Sequence, residues 1–187
     1  MNSADLRVVK TEQQIEIAFL ALLADKSYRA ITVQDILDKA LINRSTFYRH
    51  YSSKDALAEK LVADFYQPYK AFLQTRFSLN HEACLPDFLE RITAFFESQR
   101  HKILPLWQIK TPTIHLYEDM YDLIKSQYVS SANTHQQGGN IDFQGHLYAS
   151  LMLSTLSEML KKGYSFTTLD IKKEIHIMLS IAKMKAR

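Results

Sequence analysis

The chain has 187 residues, of which 47% are hydrophobic and 23% are charged; these proportions are typical of a globular protein and not of a disordered one. Its formal net charge of +3 is too small for general binding to polyanions, so any affinity for nucleic acid must come from a local cluster of basic residues. The sequence contains one cysteine, Cys84, and no apolar run as long as a signal peptide or a membrane span. An intrachain disulfide is therefore excluded, and we expect a cytoplasmic protein with no membrane segment.

Glycine and proline are scarce, with four of each. The glycines lie in about the last quarter of the chain and the prolines in its middle. Sheets and barrels need many Gly, Pro and Asn-Gly turns, whereas long stretches of this sequence carry apolar residues at spacings of three and four. The sequence therefore predicts an all-α protein.

Two helices are predicted before residue 41. The first runs from about Thr11 to Ala24, and one side carries its apolar residues at helical spacing, namely Ile15, Ala18, Phe19, Leu22 and Leu23. Thr32 then begins a capping-box pattern, in which its hydroxyl accepts a bond from the amide of Asp35 and the Asp35 carboxylate reaches back. A short second helix follows, whose inward-facing residues are Ile36, Leu37 and Ala40.

A third and a fourth helix follow after a turn of about four residues, ALIN. Asn43 is a suitable N-cap for a helix through about Tyr51. Ser52 or Ser53 caps the next helix, which Pro68 should end or bend. Two short helices separated by such a turn describe a helix-turn-helix.

The third helix lies within NRSTFYRHYSSK, a basic segment without an acidic residue. Phe47 and Tyr51 share one face and can fix the helix against the first two. The other face presents groups that suit the major groove, where Arg bonds guanine and Ser or Thr touches a base edge or a thymine methyl. These groups are Arg44, Ser45, Thr46, Tyr48 and Arg49.

Phosphate contacts are expected from the same region. Tyr48, His50 and Lys54 suit phosphates, which fix the register of a protein on DNA without reading its sequence. The N-terminus of the fourth helix, behind Ser53, offers backbone amides to another phosphate. A basic face that is merely solvated is the alternative, and the ordered set of caps, turn and aromatic pair favours DNA binding.

The segment ITVQDILDKALINRSTFYRHYSSKDALAEKLV resembles the DNA-binding domain of the TetR family of bacterial transcriptional regulators. The family pattern covers about residues 11–64, and its most specific part is the run from Thr46 to Tyr51 with Ser53 and Lys54 just after it. The resemblance implies an N-terminal three-helix helix-turn-helix domain, residues 1–64. A fourth helix would join it to a helical ligand-binding and dimerisation domain, residues 65–187.

The resemblance also implies roles for single residues. Thr32 and Lys54 would hold phosphates at the two ends of the unit. Bases would be approached by Arg44, Ser45 and Thr46, the DNA backbone would be contacted by Tyr48 and His50, and Arg49 would do either. Leu41 stands where the family turn normally has glycine. It must either adopt a positive φ, with strain on the order of 1 kcal/mol, or belong to a turn of different shape.

Five further helices are predicted, at about 65–78, 83–110, 114–131, 143–162 and 168–184. Pro86 is expected near the start of the second of these, and Pro105 is expected to bend or end it. The polar segment 130–140 reads as a loop. Gly163 is a plausible C-cap for the helix that ends with Lys161 and Lys162.

The last two helices, 143–162 and 168–184, are the expected homodimer interface. Family members generally dimerise through these helices, and the sequence agrees independently. The helix 143–162 is apolar over more than one face, with Leu147 and Leu151 among its apolar residues, so it needs packing on both sides. Helices that only close the monomer core are the alternative.

Large apolar residues with polar neighbours suggest a pocket for a small apolar or aromatic effector, because ligand sites combine apolar walls with a few polar groups. The residues predicted to line this pocket are Phe72, Phe88, Phe95, Trp107, Tyr117, Met120 and Tyr121. The same residues would also make an ordinary helical core.

Enzyme and metal chemistry find little support. His81 and Cys84 lack a second pair of ligands at metal-binding spacing, and the sequence has neither a Gly-rich phosphate loop nor a nucleophile elbow. No cofactor, metal or catalytic residue is therefore expected. The leading hypothesis is a dimeric transcriptional regulator, a repressor that binds a palindromic operator in double-stranded DNA and is released by a small molecule. The alternatives are a DNA-bound adaptor that binds a protein partner and no small molecule, and a helical enzyme.

Overall fold

The computed structural model describes residues 3–78, 85–134, 139–163, 173, 174, 176–178 and 180, with side chains over 6–75, 90–132 and 139–163 and at the positions from 173 onward. These residues form α1 (Ser3–Asp25), a 3-10 turn (Tyr28–Ala30), α2 (Val33–Ala40), α3 (Arg44–His50), α4 (Lys54–Ser78), α5 (Leu85–Leu106), α6 (Leu116–Thr134) and α7 (Ile141–Lys162). The described positions after 172 are also helical, and no described residue is in a strand. The all-α prediction is confirmed.

The chain divides into two compact units. The first comprises Met1–Ala71 and Gln99–Leu123, and the second comprises Phe72–Ser98 and Ile124–Arg187. Helices α1, α2 and α3 belong wholly to the first unit and α7 to the second, while α4, α5 and α6 contribute residues to both. The division at residue 64 inferred from the sequence stays a prediction.

The core of the first unit contains the apolar stripe predicted for α1. All five of its members, Ile15, Ala18, Phe19, Leu22 and Leu23, are buried. Buried residues of the next three helices, among them Ile36, Phe47 and Leu57, belong to the same unit. The helix begins at Ser3 and not near Thr11, and residues 6–10 are exposed, so no buried apolar spacing marks this part of the helix in the sequence.

The short helices begin where their caps predict. The Thr32 hydroxyl accepts a bond of 3.1 Å from the Asp35 amide, and the Thr32 amide donates to the Asp35 carboxylate at 2.8 Å, which completes the capping box. The Ser53 hydroxyl accepts from the Ala56 amide at 3.0 Å, so Ser53 and not Ser52 caps α4. Asn43 occupies the N-cap position of α3, but its side chain makes no capping bond.

Helix α4 continues through Pro68 to Ser78, so the predicted end of the helix at this proline is wrong, and the alternative of a bend stays a prediction. Proline lacks the N–H that would bond the carbonyl of Asp64. Both residues are exposed, so that carbonyl can be solvated. Phe65 and Tyr69 are buried to 2% exposure and hold the helix on both sides of the proline. Pro105, by contrast, lies one residue before the end of α5 at Leu106, as predicted.

In the second unit, α6 and α7 approach each other closely at Gly145. A Cβ atom at this buried residue would lie 2.9 Å from Cγ2 of Val129, so a larger residue would force a shift. The rings of Tyr128 and Tyr148 stack with centroids 5.1 Å apart, and Lys125 pairs with Asp142 at 2.8 Å. The helix α7 ends as predicted at Gly163, whose φ of 73° is left-handed and whose N–H donates to the Met159 carbonyl at 2.8 Å.

Candidate nucleic-acid interface

The turn between α2 and α3 is built on Leu41. Its φ of 55° and ψ of 43° place it in the left-handed region, and its N–H donates to the Leu37 carbonyl. The Ile42 N–H donates to the same carbonyl at 3.2 Å. Leu41 is the one non-glycine residue with positive φ in the part of the chain that the structure describes. Of the two expectations for this residue, a positive φ is therefore the correct one.

One face of α3 is fixed in the core by two aromatic rings. Phe47 is completely buried and Tyr51 is 4% exposed, with their centroids 5.8 Å apart. The Tyr51 hydroxyl is buried without a hydrogen-bond partner among the described residues. Its burial, together with the nearby charge of Glu16, raises the pKa of Tyr51 to about 12. The predicted anchoring of the helix is confirmed.

The opposite face of α3 is exposed and carries the predicted base-reading groups. Arg44, Ser45, Tyr48 and Arg49 are exposed, and Thr46 is half-buried with its hydroxyl 3.4 Å from Oδ1 of Asn43. The structure therefore places these five side chains along one seven-residue helix, beside solvent. Whether they touch bases or phosphates stays a prediction.

Gln34 of α2 belongs to the same surface and was missed from the sequence. Its Oε1 accepts a bond of 3.3 Å from Nη2 of Arg44, and its Nε2 donates to Asp38 at 2.8 Å. Gln34 therefore holds the Arg44 guanidinium near the N-terminus of α3. Gln34 could have been identified from the helix-turn-helix pattern itself, because the two short helices cross and bring exposed residues ten positions apart onto one surface.

Lys54 and His50, both expected to hold phosphates, make bonds within the protein. Nζ of Lys54 donates to the carbonyls of Tyr28 at 2.8 Å and Ile31 at 2.7 Å, and lies 4.3 Å from the centroid of the Tyr28 ring. Because an ammonium has three donors, one remains for another acceptor. Nδ1 of His50 lies 3.3 Å from Oε1 of Glu12, and the His50 side chain is 7% exposed. Lys54 thus joins α4 to the 3-10 turn, and the phosphate roles stay predictions.

Tyr28 shares this junction and was also missed. Its hydroxyl bonds to Asp55 in the first turn of α4. Burial and this bond raise the pKa of Tyr28 far above its ordinary value. The 3-10 turn is consequently attached to the start of α4 through both the backbone and the side chain of one residue.

Thr32, the other residue expected to hold a phosphate, is engaged with an acid. Its hydroxyl donates to Oδ2 of Asp35 at 2.7 Å, and Nζ of Lys26 lies 2.9 Å from Oδ1. The bonds from the hydroxyl and amide of Thr32, followed by that of Lys26, hold the pKa of Asp35 well below its usual range. Lys26 adds an exposed cation beside Thr32 that sequence analysis did not single out.

Asp35→Asn is expected to lower the melting temperature at neutral pH, because the amide removes the charge that Thr32 and Lys26 stabilise. The folded-state pKa is below the unfolded value of about 3.9, so this stabilisation is complete above that pH and is lost as the pH falls through the lowered pKa. Thermal unfolding followed by circular dichroism should show a difference between variant and wild type that shrinks below about pH 4. Asp38→Asn, with the same charge change in the same helix, should not show this profile. A difference that does not depend on pH would contradict the assignment.

The residues expected to bind an effector fall into separate groups within the two units. In the first unit, Nε1 of Trp107 donates to Sδ of Met120 at 3.3 Å, and the Trp107 and Tyr117 rings meet edge to face at 5.2 Å. In the second unit, Phe72 and Phe95 have centroids 5.2 Å apart. Tyr121 is half-buried in the first unit, and the Phe88 side chain lies outside the described residues.

The described residues contain no group of three or more His, Cys, Asp or Glu side chains that could hold a metal ion. His81 and Cys84 lie outside the described residues. No helix in the described part of the chain has the length and apolar character needed to cross a membrane.

Comparisons with known proteins identify the N-terminal segment. The family described as bacterial regulatory proteins, tetR family, matches residues 18–61, from α1 into α4. An uncharacterised HTH-type transcriptional regulator of Bacillus subtilis (strain 168), YxbF, is 44% identical over 59 residues, which are 31% of this chain and 16% of that protein. The HTH-type transcriptional repressor KstR2 of Mycolicibacterium smegmatis is 27% identical over 124 residues, which are 62% of this chain and 54% of that protein. The alignments thus span about half or less of each relative.

A solved structure shares the fold over most of the chain. A candidate regulator of fatty acid metabolism from Clostridium perfringens superimposes with a TM-score of 0.64 and 18% identity, covering 88% of this chain and 95% of that one. At this identity the likeness concerns the fold, which is an N-terminal helix-turn-helix followed by helices. The matched segment, the helix-turn-helix geometry and the shared fold agree, and residues 18–61 carry the helix-turn-helix segment of the tetR family of bacterial regulatory proteins.

Proposed function

We propose that the protein is a sequence-specific DNA-binding transcriptional regulator, and that it acts as a repressor. The observation that carries this proposal is the division of α3 into two faces. Phe47 and Tyr51 fix the helix from behind, and an arginine- and hydroxyl-rich face points to solvent. A helix of this kind fits the major groove, where each base pair presents a distinct pattern of donors and acceptors. The similarity to the repressor KstR2 supports the direction of regulation.

Arg44 is the residue we assign to base recognition. It is the first residue of α3, and the N-terminal residues of a recognition helix are those that contact base edges. Its bond to Gln34 at 3.3 Å limits the orientations of the guanidinium in the free protein. Tyr48 stands 47% exposed one turn later, where its hydroxyl can donate to a phosphate.

Arg44→Ala should relax base preference at one position of each half-site, with a loss of about 1–3 kcal/mol of discrimination. Tyr48→Ala should instead weaken binding to all sequences alike, because a phosphate contact carries no sequence information. Competition binding against duplexes with single base changes measures both effects. If neither variant loses base preference, or if both bind all sequences more weakly by the same factor, this assignment of roles is wrong.

We propose a homodimer as the DNA-binding form. One recognition helix reads only a few base pairs, so two copies are needed to read a palindrome whose half-sites lie about one helical turn apart or more. The exposed apolar residues of α7, Phe143, Leu147 and Leu151, follow at intervals of four and form one stripe. Ile177 and Met178 are also exposed, at 39% and 57%, in the region of the last predicted helix. The remainder of the segment 168–184 lies outside the described residues.

Selection of bound duplexes from a random pool is the test of the proposed function. A dimer of this type should recover a palindrome, and the spacing of its halves gives the separation of the two copies of α3. Affinity should fall steeply with salt, because several phosphates are contacted per dimer. Recovery of no common sequence, at any salt concentration that permits binding, would refute sequence-specific binding.

We further propose that a small molecule releases the protein from DNA. In the second unit, Phe72, Phe95 and Phe96 form a chain of ring contacts, and Cζ of Arg91 lies 5.5 Å from the Phe72 centroid. Aromatic groups beside a cation suit an apolar or aromatic molecule that carries a polar end. Such a ligand releases DNA only if it binds the released conformation more tightly than the DNA-bound one. Titration of candidate compounds into the protein–DNA complex tests this, and a protein partner that associates without displacing DNA would favour an adaptor.

A further inference from the structure

The leucine in the helix-turn-helix turn has a side chain that is almost entirely exposed. Leu41 is 91% exposed, the largest exposed fraction among the exposed large hydrophobic residues of the described chain. Burial of an apolar side chain is what stabilises a leucine in a protein, and Leu41 obtains almost none. Its side chain is consequently available to a partner.

The backbone of Leu41 is unfavourable as well. At φ 55° and ψ 43° its Cβ approaches the following carbonyl oxygen, a conformation that glycine adopts freely and that asparagine or aspartate tolerates. Glycine at this position would relieve the strain without the loss of any buried contact. Residues held in strained conformations cluster at functional sites, so this outlier motivates a functional hypothesis.

The position of Leu41 identifies the partner. It lies three residues before Arg44, and three trans peptide units limit the distance between their Cα atoms to about 11 Å. If α3 enters the major groove with its N-terminal residues at the base edges, this limit keeps Leu41 near the first base pairs read. The apolar group that the bases present there is the C5-methyl of thymine, whereas the other groups are hydrogen-bond donors and acceptors.

We propose that Leu41 contacts a thymine methyl group in each half-site and thereby contributes to sequence recognition. This inference rests on the proposed function, because it requires α3 in the major groove. The contact needs no hydrogen bond and removes two small apolar surfaces from water. The contact stabilises the DNA-bound protein, whereas in the free protein the side chain only makes the left-handed backbone of Leu41 unfavourable.

Replacement of single thymines by deoxyuridine in the selected duplex tests the contact, because the change removes the methyl and leaves base pairing intact. One thymine in each half-site should be sensitive, with wild-type affinity falling about fourfold per methyl removed. Leu41→Ala should bind the unmodified duplex at least as weakly as the wild type binds the substituted one, and it should no longer respond to the deoxyuridine. The two changes would then be non-additive, as expected of groups in contact.

Two further variants separate the side chain from the backbone. Leu41→Gly should match the DNA affinity of Leu41→Ala while melting at a higher temperature, because both remove the isopropyl end of the side chain and only glycine, which lacks Cβ, also removes the strain. Ile17→Ala removes an apolar side chain that is 66% exposed on α1, and it should leave both readouts unchanged.

The outcomes separate this inference from the proposed function. A wild-type protein that selects no sequence overturns both. A protein that selects a palindrome but responds to no deoxyuridine, or whose Leu41→Ala variant keeps full affinity and the same sensitivity, overturns the thymine contact alone.

Discussion

Phe47→Ala is expected to lower the free energy of unfolding by about 3–5 kcal/mol, the range for removal of a buried phenylalanine. Phe47 is completely buried, and its ring contacts those of Tyr48 and Tyr51 at 5.5 and 5.8 Å. Alanine would leave a cavity between α3 and the core, and a packed interior closes such a cavity only in part. A loss of this size is a large fraction of the stability of an ordinary domain, so DNA binding should be lost with it. Denaturant unfolding followed by circular dichroism gives the free energy.

Two neighbouring variants make this result interpretable. Phe47→Leu keeps most of the apolar volume and should cost less than about 1.5 kcal/mol. Tyr48→Ala, on the exposed face, should leave the free energy of unfolding within about 0.5 kcal/mol of wild type while weakening DNA binding. The pair thus distinguishes Phe47, which anchors α3 in the core, from Tyr48, which is proposed to contact DNA. If Phe47→Ala unfolds within 1 kcal/mol of wild type, α3 is not fixed by this ring.

The parts of the fold that could be predicted are those governed by local chemistry. The capping box at Thr32, the serine cap of α4 and the glycine cap of α7 each depend on residues within a few positions, and all three form as expected. The buried faces of α1 and α3 follow from helical periodicity, because buried residues recur every three to four positions along an amphipathic helix. The base-reading part of the candidate interface could be predicted for the same reason, because its five predicted residues lie on one short helix, α3.

What could not be predicted depends on contacts between distant segments. Lys54 carries no mark in the sequence to show that its ammonium bonds the carbonyls of Tyr28 and Ile31, more than twenty residues away. His50 likewise meets Glu12 of α1, thirty-eight positions earlier. In both cases a basic residue at or next to α3 is bonded to other groups of the protein, so charge and position in the sequence alone do not distinguish a phosphate ligand from a structural contact.

The proline in α4 shows how packing overrides local preference. A proline within a helix removes one backbone bond, but the buried Phe65 and Tyr69 secure the helix on either side of Pro68. The helix therefore continues from Lys54 in the first unit to Ser78 in the second. A local rule predicted that the helix would end or bend at Pro68, shortly before the chain enters the second unit at Phe72.

Leu147→Glu is expected to convert the proposed dimer into a monomer. Leu147 is 52% exposed at the centre of the stripe formed by Phe143, Leu147 and Leu151. A glutamate there would place two charges, one from each copy, in an apolar interface, where an unpaired charge is strongly unfavourable. Sedimentation equilibrium at micromolar concentration should then report one chain per particle. Affinity for the selected palindrome should fall at least about a hundredfold, because the two half-sites are no longer bound by one linked particle.

The folding of the variant monomer distinguishes an interface residue from a core residue. Because Leu147 is already exposed in the single chain, glutamate removes little buried area and leaves the monomer folded, with an unchanged helical spectrum. Ile17→Glu, a matched change at a 66% exposed position on α1, should stay dimeric and bind DNA as the wild type does. A Leu147→Glu protein that remains dimeric would place the interface elsewhere. One that is monomeric yet binds the palindrome at full affinity would remove the need for a dimer in DNA recognition.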